Sequence, residues 1–293
     1  MGVAPAPSLT TMKRIIINAD DFGLSPCVNE GIVQAHREGV LTSATLMANM
    51  PGFDQAVDLA RANPKLGVGL HLNIVRGRPV APADQVSSLL MGDVRFPRSA
   101  STVVRRLLLG RVRTEELERE LRAQVEKALK AGVRLSHFDS EKNLHVLPPF
   151  FKLVIKLAVD YGINKARFIR EFRPSRALGQ SLKASFLSLS CAGMEKRLRR
   201  AGLVITDRFY GISNSGRMTA EVLKGILSRH KDGSAEIMVH PGYIRQELLD
   251  LEPLVGRYYI NACRERELAA LLDPKLKEAV RSRGIWLINF HEL

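Results

Sequence analysis

Eight short apolar runs, separated by longer amphipathic stretches, constrain the fold of this chain more than any other feature. They are Arg14–Ala19 (RIIINA), Leu41–Ala48, Leu66–Leu72 (LGVGLHL), Arg134–Phe138, Ala166–Ile169, Leu203–Thr206, Glu236–Val239 and Ile285–Phe290. Each is rich in Ile, Leu and Val and lacks polar alternation, the pattern of strands buried on both faces. Between them the sequence predicts helices at Cys27–Glu38, Asp54–Asn63, Thr114–Ala131, Pro149–Tyr161, Thr219–Arg229 and Pro274–Arg283. Thr114 followed by Glu116 reads as a helix start, and Gly132 as its stop. Such alternation predicts an α/β fold, a closed parallel (β/α) barrel; a doubly wound open sheet is the alternative that periodicity leaves open. The chain has 293 residues, enough for one barrel domain over 13–293 behind a flexible tail at 1–12.

Two stretches break the rhythm and read as insertions, at about 96–113 and 173–202. Phe96–Arg113 is basic and apolar together. Between positions 165 and 200 there are ten Lys and Arg residues against only Glu171 and Glu195. Within that region Ser185–Gly193 (SFLSLSCAG) is apolar and is followed at once by MEKRLRRAG. One reading is a core helix with a solvated basic end. The other is an interfacial segment, its apolar residues in lipid and its Lys and Arg at phosphate. The whole chain carries 44 Lys and Arg against 30 Asp and Glu, a formal charge of +14, which attracts an anionic partner. Basic residues without interleaved aromatics stack bases poorly, so an anionic membrane surface is expected rather than nucleic acid. Cys27, Cys191 and Cys263 are odd in number and form no C-x-x-C pair, which excludes a disulfide scaffold and suits a reducing compartment. The N-terminus lacks the pattern of a secretory signal, and no stretch approaches ~18 uninterrupted apolar residues. The expected location is the cytoplasm, with at most peripheral contact to the inner face of the membrane.

Polar residues gather at the ends of four of the runs. The first closes on Asn18-Ala19-Asp20-Asp21, the third on His71-Leu72-Asn73, the fourth on His137-Phe138-Asp139-Ser140-Glu141 with His145 beyond, and the seventh on His240-Pro241-Gly242. In a barrel the C-terminal ends of parallel strands converge on one mouth, so four strands deliver carboxylate or imidazole to one place. Each feature also has a plainer explanation. Asp20 or Asp21 could cap the helix that starts near Ser25, and because neighbours in an extended segment point to opposite sides, one would cap while the other faces the pocket. His71 alone could be a packed core histidine, His240 could simply precede a Pro-Gly turn, and His137 could point outward. No base is placed to activate Cys27.

The segments IINADDFGLSPCVNEGI, LTSATLMANMPGF, LGVGLHLN, HFDSEKNLHVLPPF and MVHPGY resemble, in order and spacing, the YdjC-like carbohydrate deacetylases, the family of chitooligosaccharide deacetylase. The resemblance runs from about residue 13 to about residue 290. It implies a distorted (β/α) barrel, hydrolysis of the N-acetyl group of an N-acetylglucosamine unit, one divalent metal ion and a homodimer. Carried over by position, Asp21 and His71 are metal ligands, Asp20 is the general base and His240 the acid that protonates the leaving amine. The family pattern Asp-Ser-His-x-His-x-His reads here Asp139-Ser140-Glu141-Lys142-Asn143-Leu144-His145, so Glu141 takes the place of the third ligand. An Asp-His-Glu set favours Mg²⁺, with Mn²⁺ or Zn²⁺ possible, unless Lys142 neutralises Glu141 and the ion is lost. Asn73 and His145 are expected to line the pocket, Asp139 to orient a neighbour, and Arg167 and Arg170 to meet sugar hydroxyls or acidic groups. The Glu-Lys form and the basic, apolar insertion resemble the branch associated with hopanoid biosynthesis, which implies an N-acetylglucosaminyl hopanoid as substrate. A soluble chito-oligosaccharide deacetylase and a non-catalytic glycolipid-binding barrel that has lost its metal are the alternatives.

Overall fold

The long first strand, β1 (Lys13–Phe22), organises the structure, a computed structural model that describes residues 12–171, 178–257 and 260–293. Almost every residue of β1 is buried, as its unbroken Ile-rich sequence requires. Six further parallel strands follow: β2 (Ser43–Leu46), β3 (Gly67–Leu72), β4 (Phe138–Ser140), β5 (Arg208–Tyr210), β6 (Gly233–Val239) and β7 (Ile285–Leu287). Their order is β4-β3-β2-β1-β6-β5, with β7 against the first residues of β1. Isolated bridges join Phe138 to Ala166 and Lys165 to Val204, and the Phe209 N–H donates to the Arg170 carbonyl. These contacts carry the sheet round from β4 towards β5 as a distorted α/β barrel.

Helices clothe the sheet: α1 (Pro26–Arg37), α2 (Phe53–Ala62), α3 (Ala100–Leu108), α4 (Thr114–Lys130), α5 (Pro148–Tyr161), α6 (Leu178–Ala192), α7 (Glu195–Arg200), α8 (Ala220–Arg229), α9 (Gln246–Leu249), α10 (Glu252–Val255), α11 (Cys263–Leu272) and α12 (Pro274–Ser282). Three sequence expectations need correction. Eight runs give seven strands among the described residues, because 166–169 and 203–206 make single bridges rather than ladders, while a strand forms at 208–210 instead. The fourth strand lies at 138–140 and so begins only at the last residue of the apolar run meant to contain it. Thr114 does not cap α4; Arg113 occupies the cap position without a side-chain bond, and Gly132 at φ +81° follows the helix end as expected.

Of the two insertions, 96–113 folds as α3 and its flanks, and 178–200 as α6 and α7; positions 1–11 and 172–177 lie outside the described residues. Among the described residues, no helix is long and apolar enough to cross a membrane.

Candidate active site at the mouth of the barrel

Both aspartates at the end of β1 reach the mouth, and a local irregularity makes this possible. Between Ala19 and Phe22 the pairing with β2 shifts register, so β1 carries an extra residue there. Asp21 adopts φ +70°, a conformation that non-glycine residues rarely take. The alternation expected of neighbouring strand residues is therefore broken, and Asp20 and Asp21 line the same cleft. Neither caps a helix; Ser25 does so, accepting from the Val28 N–H.

The cleft is also lined by His71, Glu141, Lys142, Asn143, Met238 and His240, and its volume is about 40 Å³. Asp21, His71 and Glu141 each offer one ligand atom, all within 4.8 Å of one another. His71 Nε2 lies 3.3 Å from Glu141 Oε2 and 4.0 Å from Asp21 Oδ1. The far atom of each group is held from outside. His71 Nδ1 donates to Asp139 Oδ1 at 2.7 Å, Arg76 Nε donates to Glu141 Oε1 at 3.0 Å, and Arg264 Nη2 donates to Asp21 Oδ2 at 2.5 Å. Lys142 Nζ, 3.8 Å away, also faces Glu141 Oε1, so it leaves Oε2 to the cluster.

This donor set fits a divalent cation: two buried carboxylates and an imidazole whose tautomer is fixed by a carboxylate behind it. Asp20, His71 and Asp139 form a second close group, but there Arg167 already holds both carboxylates. Burial alone would lower the His71 pKa, yet the charge of Asp139 and the bonds to Asp139 and Glu141 raise it well above the usual imidazole value. Burial would raise Glu141, but Lys142, His71 and Arg76 pull it well below the carboxylate range.

Under the cleft lies Arg167, wholly buried, which binds three carboxylates. Its Nη1 and Nη2 grip Asp20 Oδ2 and Oδ1 at 2.9 and 2.6 Å, Nη1 lies 2.9 Å from Asp139 Oδ2, and Nε donates to Glu236 Oε1 at 2.8 Å. Burial favours a neutral Asp20, but the Arg167 charge overrides it and holds Asp20 ionised well below the usual range. Glu236, with one bond to the same guanidinium, is pushed up by burial to about 7. Opposite Asp20, His240 Nε2 stands 4.0 Å from Asp20 Oδ2, and its side chain is 19% exposed. The cleft therefore pairs a fixed carboxylate with an accessible imidazole beside a cation-sized cluster.

A profile of the family described as "YdjC-like protein" matches residues 14–282. The chain belongs to this family. Similar proteins include a carbohydrate deacetylase of Brevibacillus brevis, 38% identical over 96% of this chain and 99% of its own length. A carbohydrate deacetylase of Geobacillus stearothermophilus is 36% identical over 96% and 98%. Among solved structures, a proposed cellobiose-phosphate cleavage protein of Enterococcus faecalis superposes with a TM-score of 0.74 at 28% identity, covering 96% of this chain and 98% of that one.

In this YdjC-like chain the structure brings Asp20, Asp21, His71, Glu141 and His240 together and places Asp139 behind His71. It sets four other residues apart from the cleft. Asn73 shapes the loop after β3, accepting from Val75 and Arg76 N–H and donating to Asn49 and the Arg76 carbonyl. His145 lies behind the site against an apolar cavity with Phe151 and Cys191, where burial and then Arg167 lower its pKa to about 3. Arg167 is under the floor, out of reach of a sugar, and Arg170 pairs with Glu195 on α7. His137 does not point outward but is completely buried.

Arg76, Glu236, Arg264 and Glu267 were not singled out from the sequence. A signal for the last two exists: Arg264 and Glu267 share the i, i+3, i+4, i+7 face of α11 with Leu268 and Leu271, although the sequence was not expected to form a helix there.

Proposed function

We propose that this chain is a carbohydrate deacetylase that hydrolyses the N-acetyl group of an N-acetylglucosamine unit, most suitably one carried on a hopanoid-type lipid. The observation that carries this reading is the cleft in which Asp20 and His240 stand 4.0 Å apart beside Asp21, His71 and Glu141. Two similar proteins, 38% and 36% identical over 96% of this chain, bear the name carbohydrate deacetylase.

Asp21, His71 and Glu141 would hold a divalent ion, Mg²⁺ by preference for two carboxylates and Mn²⁺ or Zn²⁺ next, which when bound supplies charge to the acetyl carbonyl and acidifies water. Asp20, locked by Arg167, accepts the proton of the attacking water, whose oxygen joins the carbonyl carbon. His240 Nε2 gives a proton to the amide nitrogen as the C–N bond breaks, because an unprotonated amine leaves poorly. Acetate and a free amino sugar are the products. Asp139 keeps the His71 ring in its working orientation.

We read 13–293 as a single domain, and three features support a lipid-borne substrate met at an anionic membrane surface. On α6, Leu182, Phe186 and Leu189 are 63%, 62% and 77% exposed at helical spacing. Lys196, Arg197, Arg199 and Arg200 of α7 follow directly and are exposed. The chain as a whole carries +14. A homodimer accompanies this reading, as the resemblance implies. A soluble chito-oligosaccharide as substrate is favoured instead by a groove of about 780 Å³ that includes Arg98, Ser99, Asp250 and Glu252, polar groups suited to sugar hydroxyls.

The test offers the purified protein, with Mg²⁺ or Mn²⁺, an N-acetylglucosaminyl lipid in anionic vesicles and, separately, N,N′-diacetylchitobiose. Loss of an acetyl group is followed by mass, beside Asp20→Asn and His240→Ala. Turnover of the lipid that both variants abolish supports the proposal, and turnover of chitobiose alone transfers it to the soluble substrate. Equal turnover by wild type and both variants refutes the site.

A further inference from the structure

One helix reaches both halves of the cleft. Arg264 and Glu267 lie three residues apart on α11, hence on one face, and are 2% and 1% exposed. Arg264 Nη2 donates to Asp21 Oδ2 at 2.5 Å, which leaves Oδ1 turned towards His71 Nε2. Glu267 Oε2 accepts the backbone N–H of His240 at 2.6 Å and lies 3.9 Å from its Nδ1. Its other oxygen faces the Met218 N–H at 3.4 Å. Asp21 is the next-to-last residue of β1 and His240 follows β6, and these strands are neighbours in the sheet. Helix α11 thus lies across the ends of two adjacent strands and holds one working group at each.

We infer that Arg264 and Glu267 are positioning residues, which fix the distance between the cation-holding carboxylate and the proton-donating imidazole. The inference rests on the deacetylase reading for the roles of Asp21 and His240. The two residues act in different ways. Arg264 occupies one oxygen of Asp21, so the carboxylate can offer only the other, and a guanidinium this close also opposes a divalent cation. Its removal frees both oxygens and deletes a repelling charge, so the ion is held more tightly while the geometry that leaves room for water and substrate is lost. This sign is opposite to that of a carboxylate behind a ligating histidine, whose removal weakens metal binding. Glu267 does not touch the cation cluster. It holds the His240 backbone and sets a carboxylate behind Nδ1, so that Nε2 faces the cleft.

The experiment uses the full chain stripped of metal. Mn²⁺ alone is titrated calorimetrically into wild type, Arg264→Gln, Arg264→Lys and Glu267→Gln, and kcat and KM are measured on whichever acetylated substrate wild type turns over. Arg264→Gln is expected to bind Mn²⁺ about tenfold more tightly while kcat falls at least about tenfold. Arg264→Lys retains the charge and is expected to keep Mn²⁺ affinity within about threefold of wild type, with kcat between the other two. Glu267→Gln is expected to leave Mn²⁺ affinity within about twofold and lower kcat about 10- to 100-fold at a KM within about threefold.

Unchanged or weaker Mn²⁺ binding by Arg264→Gln overturns the role of Arg264. Wild-type kcat in Glu267→Gln overturns that of Glu267. A wild type that binds Mn²⁺ but deacetylates nothing refutes the deacetylase reading and the Glu267 role with it, while the Mn²⁺ titrations still decide Arg264.

Discussion

His71 and His137 are equally buried and sit on or beside neighbouring strands of the same barrel, yet their surroundings push them in opposite directions. His71, at the mouth, is 1% exposed and has Asp139 on one nitrogen with Glu141 and Asp21 facing the other. His137, just before β4, is 0% exposed, stacks on Phe290 with ring centroids 3.5 Å apart, and its Nδ1 lies 2.8 Å from Ser136 Oγ. Burial lowers both imidazoles, but carboxylates reverse the sign at His71, whereas the Arg167 charge adds to it at His137. The same side chain is a charged-site component at the mouth and a packing ring one layer below it. Gly69 completes the second arrangement, because a Cβ there would lie 2.4 Å from the His137 ring.

The carboxylates divide in the same way. Asp20 is buried with a bidentate arginine and stays ionised. Glu120 on α4 is buried with the N–H groups of Val80 and Ala81 and with Gln124, and burial lifts it to about 7. Depth alone therefore does not mark function; a fixed opposite charge at depth does.

The contrast can be broken by substitution, and the largest effect is expected at His71. His71→Ala should lower kcat/KM by about 10³-fold and abolish Mn²⁺ binding by calorimetry, whereas His137→Ala should keep kcat within about threefold. Comparable activity losses in the two would end the distinction. Arg167→Met comes next: three buried carboxylates lose their partner, so denaturant unfolding should show a loss of about 3–5 kcal/mol, and a shift under 1 kcal/mol would mean the network is not as charged as its geometry implies. In the layer below the mouth, His137→Ala should cost about 2–3 kcal/mol through the cavity left beside Phe290, measured in the same assay.

The smallest effect concerns pH. Glu120 has a folded pKa of about 7, above its ordinary 4.5, so the folded state holds its proton more firmly than the unfolded chain. Its contribution is complete below pH 4.5 and is lost as pH rises through 7. Glu120→Gln should therefore flatten the fall in unfolding free energy between about pH 4.5 and 7.5 by roughly 1–3 kcal/mol, and an unaltered slope would show that another group titrates there.

Much of the fold was legible in the chain. Runs such as RIIINA and LGVGLHL read as strands covered on both sides, and the six helices expected between the runs end within a residue or two of their expected limits, whereas α11 was not foreseen. Chemistry-bearing residues at strand ends were legible too, because parallel strands share one direction and their C-terminal ends must meet at one mouth. What sequence order could not convey was the company each side chain keeps. The extra residue at Asp20–Asp21 turns both carboxylates the same way, contrary to strand alternation. Arg264 meets Asp21 across 243 positions, and Arg167 meets Asp20 across 147. Charge in a buried site depends on distances of a few ångströms between groups remote in the chain. Residue type and spacing therefore determined which groups arrive at the mouth, and only the tertiary fold decided which of them are held, ionised and aimed.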